Sequence, residues 1–482
     1  MVTKDIYGKP YHLTLFVITL LVASFTDMLN QTVLGVAQPT LMTYFSVSAS
    51  TIQWLTTGFL LVSAVMIPVT GWLTNRFGTK WLFIFSQVLF AAGTLLSFTA
   101  GSFSLLLTGR LIQAMGSGIA APLSMTMLFS AFPPEKQGQA MGLLGIVFGL
   151  APAIGPTFSG WAIDAFSWRA IFGIVVPISL IALVASLFFI KDVVPKRAAR
   201  LDLLSLGLST IGFGSLLYSF SIVGDNGWTS RIFLLTLLLG LVALGWFIHR
   251  QLKIDTPLLD ISVFKMRNFT LGTIIGAVVM FAMIGFEIIL PMYLQIILGM
   301  SAVKSGLSLL AGALTMAVAS PLAGAVLDKF GGKYLIMFGM LLVTLGTIPF
   351  VFVTADSSIV YIIILYAVRN FGMALSLMPS GSVAFSALPK QKFADGSALN
   401  NVARQVSASI GTAFLVSMFT NVKDNLSPSK HLLQINPIAY KTKIFHALLA
   451  GFHVGFLITI IFTFIAAMLC LAFVNSHQKE AQ

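Results

Sequence analysis

The sequence predicts an all-α integral membrane protein, and three observations support this prediction. Hydrophobic residues make up 57% of the 482-residue chain and charged residues only 9%, whereas soluble domains carry about 25% charged residues. The mean hydropathy is +0.96. Apolar stretches of about 20 residues recur from Leu13 to Val474, and each can cross a hydrocarbon core of about 30 Å. Since a lipid-exposed backbone must satisfy its polar groups internally, these stretches are expected to be helices.

The pattern predicts fourteen membrane-crossing helices joined by polar loops. The first stretch follows Lys4 and Lys9. It is expected to be retained as a helix, because it is too long for a signal-peptide core and lacks an evident cleavage site. The expected helices cover residues 12–36, 51–74, 81–100, 103–132, 138–162, 168–190, 202–223, 230–249, 268–298, 305–327, 333–354, 358–388, 395–420 and 446–474.

The basic residues follow the loops rather than forming a nucleic-acid patch. The net charge is +13, but alternate loops carry most of it, which predicts a cell-membrane protein with both termini in the cytoplasm. No nucleic-acid partner is expected. Before residue 421 the outer loops hold only Arg169, Arg231 and Lys304. The inner loops hold Arg76, Lys80, Lys136, Lys191, Lys196, Arg197, Arg200, Arg250, Lys253, Lys265, Arg267, Lys329, Lys333, Lys390 and Lys392.

An internal repeat divides the chain. Residues 71–80 (GWLTNRFGTK) reappear as residues 324–333 (GAVLDKFGGK) at an offset of 253 residues. Residues 129–133 (FSAFP) return at a similar offset as residues 385–389 (FSALP). Since these matches lie in polar loops, they indicate duplication and not chance similarity between apolar helices.

The repeat predicts two six-helix halves with a site between them, the architecture of alternating-access carriers. We expect an N-terminal bundle over residues 1–190, a linker with two inserted helices over residues 191–267, and a C-terminal bundle over residues 268–482.

Five motifs resemble a known family. Residues 71–80, 110–118 (RLIQAMGSG) and 155–160 (GPTFSG) resemble three signatures of the major facilitator superfamily, and the third is its antiporter signature. Together with residues 168–172 (WRAIF) and 401–405 (NVARQ), they resemble the fourteen-helix drug:proton antiporters of the EmrB/QacA type. The resemblance covers nearly the whole chain.

This resemblance implies a major facilitator fold, with two pseudo-symmetric six-helix bundles and two inserted helices. It implies a proton-coupled multidrug efflux antiporter that exports lipophilic, in some cases cationic, small molecules by alternating access. Protons, small-molecule substrates and the lipid bilayer are the expected partners, and a functional monomer is expected because one chain contains both halves of a cavity.

The motifs also suggest gating residues. The cationic residues in the loop of residues 71–80 are expected to set the membrane topology and to help close the cytoplasmic side. The glycines and prolines of the fifth helix are expected to loosen that helix. Two departures from the family pattern stand out: Asn75 replaces an aspartate that Asp328 keeps in the second half, and Ser159 replaces a glycine. The gating candidates are Gly71, Arg76, Gly78, Lys80, Gly155, Pro156, Asp328 and Lys329.

An acid in the first helix is the leading proton-coupling candidate. Counting 1.5 Å per residue puts Asp27 about 13 Å and Arg110 about 10 Å from the outer helix ends, so the two share a layer. Ionisable groups in hydrocarbon are costly and usually functional. Asp27 is expected to carry protons; a permanent ion pair with Arg110 is the alternative. The resembled family usually has its first-helix acid at the place of Asn30, so Asp27, three residues earlier on the same helical face, would take over this role.

Glu287, near the middle of the ninth predicted helix, is the second candidate for proton or cation handling. Met283 and Phe286 beside it offer adaptable apolar surface for a lipophilic cation. Pairing of Glu287 with Arg369 or Arg404 is the alternative.

Six further residues complete the expected substrate contacts. Asn30 and Gln31 cannot titrate but can hydrogen-bond a ligand, with interhelical packing as the alternative. Gln53 and Trp54 stand near the outer start of the second helix. Arg404 and Gln405 are expected to contact substrate or to clamp backbone carbonyls.

Several function classes are disfavoured by what the sequence lacks. No phosphate-binding Gly-x4-Gly-Lys-Ser/Thr loop occurs, so an ion gradient is the expected energy source. Cys470 is the single cysteine, and no catalytic constellation, metal-ligand set or cofactor motif is evident. An enzyme is therefore not expected. A dedicated exporter of one physiological solute or lipid remains the main alternative, followed by a channel or receptor.

Overall fold

The computed structural model describes residues 2–196, 202–254 and 257–473. A short N-terminal hairpin pairs β1 (Val2–Lys4) with β2 (Pro10–His12), and helices form nearly all the rest. The first-half and inserted helices are α1 (Leu13–Thr32), α2 (Leu34–Phe45), α3 (Ala49–Ile52), α4 (Trp54–Phe77), α5 (Thr79–Phe98), α6 (Phe103–Ala131), α7 (Gln137–Ala165), α8 (Arg169–Phe189), α9 (Leu203–Asn226) and α10 (Arg231–Gln251). The second-half helices are α11 (Arg267–Ile296), α12 (Ala302–Phe330), α13 (Gly332–Thr347), α14 (Ile359–Ala374), α15 (Leu377–Ser386), α16 (Phe393–Leu426), α17 (Lys430–Ile435) and α18 (Pro437–Leu469).

The predicted membrane architecture is confirmed. In the described part of the chain, 13 helices are long and apolar enough to span a bilayer, and a bent pair raises the number to 14. The bend, 44° between Pro134–Pro152 and Thr157–Ala165, lies in α7, where prolines interrupt the backbone hydrogen bonds. The boundaries predicted for the three domains stay a prediction.

Two elements differ from the expected helices. The first predicted helix ends at Thr32, and α2 restarts after Val33. The twelfth predicted helix, 358–388, is broken into α14 and α15. At this break the Ser376 hydroxyl donates to Gly372 O at 3.0 Å, and such side-chain bonds compete with the backbone ladder.

The inserted helices α9 and α10 pack against each other, and α9 also contacts α4 of the first half and α16 of the second. Trp54 of α4 stacks on Tyr218 of α9, with ring centroids 6.1 Å apart. Trp228, after α9, donates to Ser417 Oγ of α16 at 2.6 Å. The inserted pair therefore bridges the two halves.

The two ends of the bundle are packed differently. We call the end that carries Arg76, Lys80 and Lys329 the basic end, and the end that carries Arg169 and Arg231 the opposite end. At the basic end one apolar cluster includes residues of both halves, and Phe129 packs there against Phe385 and Phe393, in tilted and edge-to-face geometry, with centroids 5.2 Å away. At the opposite end each half has its own apolar cluster. The halves therefore share a large apolar core only at the basic end.

Close backbone approach sets the packing of α5 on α6. A Cβ added at Gly93 would lie 2.6 Å from both Gln113 N and Gly109 O. Backbone atoms cannot move aside as a flexible side chain can, so only glycine permits this crossing.

We expect Gly93→Val to destabilise the protein by about 1–3 kcal/mol, because the added atoms force α5 away from α6. The measurement is a thermal unfolding curve of the purified protein in detergent. Gly245→Val on α10 is the matched control, since no atom lies within 4 Å of a Cβ added there. Equal midpoints for the two variants would contradict the proposed close crossing.

Candidate functional site

Asp27 lies inside the first half with an incomplete set of hydrogen bonds. Its side chain on α1 is 6% exposed, and its Oδ1 atom has no hydrogen-bond partner. Ser117 of α6 is near enough to interact with the carboxylate, yet the Ser117 hydroxyl also lacks a regular hydrogen bond. Since buried polar atoms nearly always have partners, unpaired ones indicate a place for a proton, water or ligand.

Asn30 extends this polar cluster by one helical turn. Its side chain is fully buried, and neither Nδ2 nor Oδ1 has a partner. Asp27, Asn30 and Ser117 therefore form a group of under-satisfied polar side chains between α1 and α6. Ser117 lies within the motif of residues 110–118, but the sequence analysis gave it no role because that motif is recognised by its arginine, glutamine and glycines.

Arg110 has its own partners and does not pair with Asp27. Its Nη1 atom donates to Gln113 Oε1 at 3.0 Å and to Asn30 O at 3.4 Å, and its Nε atom donates to Leu55 O at 3.4 Å. The guanidinium also lies 4.3 Å from the centroid of the Phe59 ring, a favourable cation–π geometry. Among the ion pairs of the described residues none joins Asp27 to Arg110. The alternative of a permanent ion pair is therefore not realised in this conformation.

The arrangement around Glu287 is different. Glu287 lies within electrostatic range of Arg369 and Tyr366. Arg369 donates from Nη2 to Ala282 O at 2.9 Å, and its guanidinium lies 3.8 Å from the Phe286 ring centroid. Phe286 also stacks on Tyr366 at 6.0 Å with an interplanar angle of 6°. Glu287 thus lies near Arg369, although the ion pairs of the described residues do not include one between them.

Two expected substrate contacts are packed in the protein interior. Met283 is 2% exposed and Phe286 only 1%. Phe286 belongs to the apolar cluster of the second half, and its contacts are with Arg369 and Tyr366 rather than with an open cavity. The structure therefore places Phe286 as a support for Arg369.

Arg404 acts as a clamp on the broken helix. Its Nη2 atom donates to Leu377 O, the first residue of α15, at 2.9 Å. Cβ atoms added at Gly276 and Gly381 would lie 3.4 Å from Nε and 3.1 Å from Nη2, so these glycines make room for the guanidinium. Nε itself has no partner. Gln405 beside it is half-buried.

The remaining expected contacts are more accessible. Gln31 is half-buried and Gln53 is exposed. Trp54 is 43% exposed, and Tyr218 of the inserted helix α9 stacks on its ring. The repeated pattern showed no role for the inserted helices, so sequence reasoning missed Tyr218.

Asp328 joins the halves at the basic end. Its Oδ1 atom accepts from Gly138 N at 2.6 Å, and its Oδ2 atom accepts from Gln139 N at 2.9 Å. These amides begin α7 of the other half, where a helix presents unpaired N–H groups and a positive dipole end. Gly138 and Gly324 meet backbone to backbone beside this contact. Lys329 is exposed next to it. The contact joins the two halves at the basic end.

The first-half copy of this loop is built differently. Asn75, at the position equivalent to Asp328, has an Oδ1 atom with no partner. Gly78 adopts a positive φ of 86°, which favours glycine. The backbone N–H of Lys80 donates to Asp192 Oδ1 at 2.9 Å, so this acid of the following linker fixes the loop. Arg76 is exposed.

The glycine-rich helix α7 contacts both halves. A Cβ at Gly142 would lie 2.5 Å from Ser320 O of α12, as expected for a helix that meets the other half. Gly155 instead lies against Thr32 of α1, in its own half. The helix as a whole therefore packs on both α12 and α1. The side chain of Pro156 lies outside the described residues.

Comparisons with known proteins agree on one family. The sequence model described as Major Facilitator Superfamily matches residues 20–412. The chain is 41% identical over 478 residues to the uncharacterized MFS-type transporter YcnB of Bacillus subtilis, covering 99% of this chain and 98% of the relative. It is 38% identical to the lincomycin resistance protein LmrB of Bacillus subtilis, covering 85% and 86%. It is 29% identical to the multidrug export protein EmrB of Escherichia coli, covering 91% and 86%.

The fold likeness extends to distant solved structures. The human organic anion transporter MFSD10 aligns with a TM-score of 0.63 at 16% sequence identity, covering 93% of this chain and 99% of that chain. At this identity the likeness concerns the fold alone.

Removing the charge of Asp328 is expected to loosen the basic end. In Asp328→Asn the contact with the start of α7 loses about 1 kcal/mol, so the open population rises roughly fivefold. The measurement is the rate of maleimide labelling at Ser320→Cys, placed in Cys470→Ala, because Ser320 is buried against α7.

The exposed acid Asp356, on the other side of the bundle, provides the control. Asp356→Asn is expected to label at the parent rate, because this side chain makes no contact between the halves. If Asp328→Asn also labels at the parent rate, the carboxylate does not hold the basic end closed.

Proposed function

The chain belongs to the major facilitator superfamily, and on that premise we propose that it is a proton-coupled multidrug efflux antiporter. It would export lipophilic small molecules, some of them cationic, by alternating access. The chain is a multi-pass membrane protein of this transporter family. The observation that carries the proposal is the buried Asp27 carboxylate with its unpartnered Oδ1 atom.

The coupling argument starts from the charge of Asp27. An ionisable group in a hydrocarbon core costs several kcal/mol, so its retention points to function. Arg110 is committed to Gln113, Asn30 and Phe59 and does not neutralise Asp27. A proton or a cationic group of a substrate can neutralise the same carboxylate only in alternation. This competition makes proton binding and substrate binding linked equilibria.

Glu287 provides a second acid with a different task. Because Arg369 lies within electrostatic range, the charge of Glu287 is balanced from inside the protein. We assign proton coupling first to Asp27. We assign to Glu287 the role of holding Arg369 in position, and Arg110 is the arginine of the first half that corresponds to Arg369. Asn30, Gln31, Gln53 and Trp54 remain the proposed substrate contacts, together with Arg404 and Gln405. Met283 and Phe286 would support that surface from behind.

The names of two relatives support drug export as the direction of transport. One is named for lincomycin resistance and the other for multidrug export. The shared apolar core and the Asp328 contact at the basic end correspond to a carrier closed on that side. By the excess of Lys and Arg, we assign the basic end and both termini to the cytoplasm. Gly71, Arg76, Gly78, Lys80, Gly155, Pro156 and Lys329 remain the proposed gating residues beside Asp328, with Gly155 acting within its own half. A monomer with one central site follows from the presence of both halves in one chain.

A dedicated exporter of one physiological solute is the second candidate. It is favoured by the two relatives that share 41% and 43% identity with the chain, both named uncharacterized MFS-type transporters. These are more similar to the chain than the relatives named for drug resistance.

Transport in proteoliposomes tests the proposal. Under an imposed pH gradient we expect ethidium transport by the parent protein and a loss of about tenfold or more in Asp27→Asn, because the amide cannot exchange a proton. Glu287→Gln is expected to transport more slowly while keeping its response to the gradient.

Glu135→Gln serves as the control, since Glu135 is an exposed acid at the basic end. It should transport like the parent protein. Gradient-driven transport that survives in Asp27→Asn would remove Asp27 as the coupling acid. Absence of ethidium transport by the folded parent protein would favour the dedicated exporter.

A further inference from the structure

The segment after the inserted helices is docked in the protein in an unusual way. Residues 257–266, which we call the strap, connect α10 to α11 at the basic end. Connecting segments normally run exposed over the surface. Here Leu258 is 1% exposed, and Leu259 and Val263 are 0% exposed, all within the apolar cluster that both halves share. The strap is therefore part of the apolar core that joins the halves at the basic end.

The strap contacts the first half at a motif glycine. A Cβ added at Gly71 of α4 would lie 2.9 Å from Leu259 Cδ2 and 3.8 Å from Leu258 O. Gly71 thus forms the surface on which Leu259 rests. This glycine of the repeated segment lies inside α4 and makes room for the strap.

The strap contacts the second half through an ion pair. Lys392 Nζ, just before α16, lies 2.8 Å from Asp260 Oδ2 and donates to Ser262 Oγ at 2.8 Å. Both charged side chains are 25% exposed, so the pair is partly shielded from water. Burial would raise the pKa of Asp260, but the hydrogen bonds from Lys392 and Ser262 outweigh this effect and keep the pKa below its ordinary value. Asp260 therefore stays ionised at neutral pH.

The inserted helices hold the strap in place. Gln251 at the end of α10 accepts from Leu259 N at 3.2 Å through Oε1 and donates from Nε2 to Ser205 Oγ of α9 at 2.5 Å. Beside it, Arg250 Nε lies 2.6 Å from Asp202 Oδ2. The hydrogen bonds and charge of Arg250 lower the pKa of Asp202 to about 2. The base of the strap is thus anchored to both inserted helices.

The position of the strap complements the other gate contact. On the α7–α12 side the Asp328 carboxylate binds backbone amides of the other half directly. On the α4–α16 side the equivalent residue is Asn75, whose Oδ1 atom has no partner. The strap lies on this second side, where it joins Gly71 of α4 to Lys392 before α16.

We infer that the strap is a latch for the α4–α16 side of the basic end, and that Leu259, Asp260 and Lys392 are positioning residues of the transport cycle. This inference rests on the proposed function in taking opening of the basic end as a step of transport. Opening moves α16 away from α4, which requires the Asp260–Lys392 pair to break or Leu259 to leave Gly71. The inserted helices then have a task in gating.

Charge reversal tests the latch. The reporter is Ser397→Cys in a Cys470→Ala background, because the Ser397 hydroxyl donates to Pro122 O across the halves at 2.6 Å. In this background we expect Asp260→Lys and Lys392→Asp each to raise the maleimide labelling rate about fivefold or more. The double reversal is expected to return the rate to within about twofold of the parent, because an opposite pair forms again.

Two further sets of variants keep the test decisive if a reversal fails to fold. Asp260→Asn and Lys392→Gln remove one charge each and should also raise the labelling rate, but by less than the charge reversals. Lys423→Gln, which removes an ion pair to the exposed Asp424, is the control and should leave the rate unchanged. Single variants that label at the parent rate, or a double reversal that labels as fast as the singles, would overturn the latch.

The labelling measurement uses neither substrate nor proton gradient. If the parent protein does not transport drugs, the proposed function is therefore contradicted, but the labelling result stays valid. A raised labelling rate with an unchanged unfolding midpoint separates a positioning role from a general loss of stability, which would raise the labelling rate and lower the midpoint.

Discussion

A charged side chain in a hydrocarbon environment needs hydrogen-bonding or ionic partners from the protein, and this constraint determines how the buried polar residues are arranged. Arg110, Arg369 and Arg404 are almost completely buried, and each donates hydrogen bonds to backbone carbonyls. Arg110 and Arg369 add an aromatic ring beneath the guanidinium. These partners come from neighbouring helices, so the arginines fix the helices around them. Asp27 is the buried acid whose Oδ1 atom has no hydrogen-bond partner, and it is therefore the centre of the proposed coupling.

The two halves share a plan but not its polar details. Arg110 and Arg369 occupy corresponding helices, yet only Arg369 lies within electrostatic range of an acid of its own half. At the basic end the same asymmetry recurs, because Asp328 binds the start of α7 while Asn75 lacks an equivalent bond. The inserted helices lie on the side of Asn75, where they add the strap and the Trp228–Ser417 bond. The two halves therefore keep the same helix plan, but the side that has Asn75 in place of an aspartate is joined through the strap.

Sequence reasoning succeeded where a local property decides the outcome. Apolar length predicted the spanning helices, and the repeat predicted the corresponding loops, because both depend on neighbouring residues in the chain. It was less successful where contacts between helices decide. Asp27 and Arg110 were placed in one layer, but the layer does not reveal that Arg110 turns to Leu55 and Gln113. Phe286 was expected to contact a ligand, but the guanidinium of Arg369 lies over its ring. Gly155 was expected to take part in gating, but the sequence did not reveal that it lies against Thr32 of its own half.

The sequence by itself determined that this chain crosses a membrane many times in two related halves, and which of its few acids stand inside the bilayer. Those features follow from hydrophobic length and from repeated loops, which are properties of one chain segment at a time. Only the tertiary structure decided which acid lacks a cation, which end of the bundle is closed, and that residues 257–266 fasten the inserted helices to both halves. Each of these depends on distances between atoms far apart in sequence, and hydropathy and motif spacing carry no information about such distances.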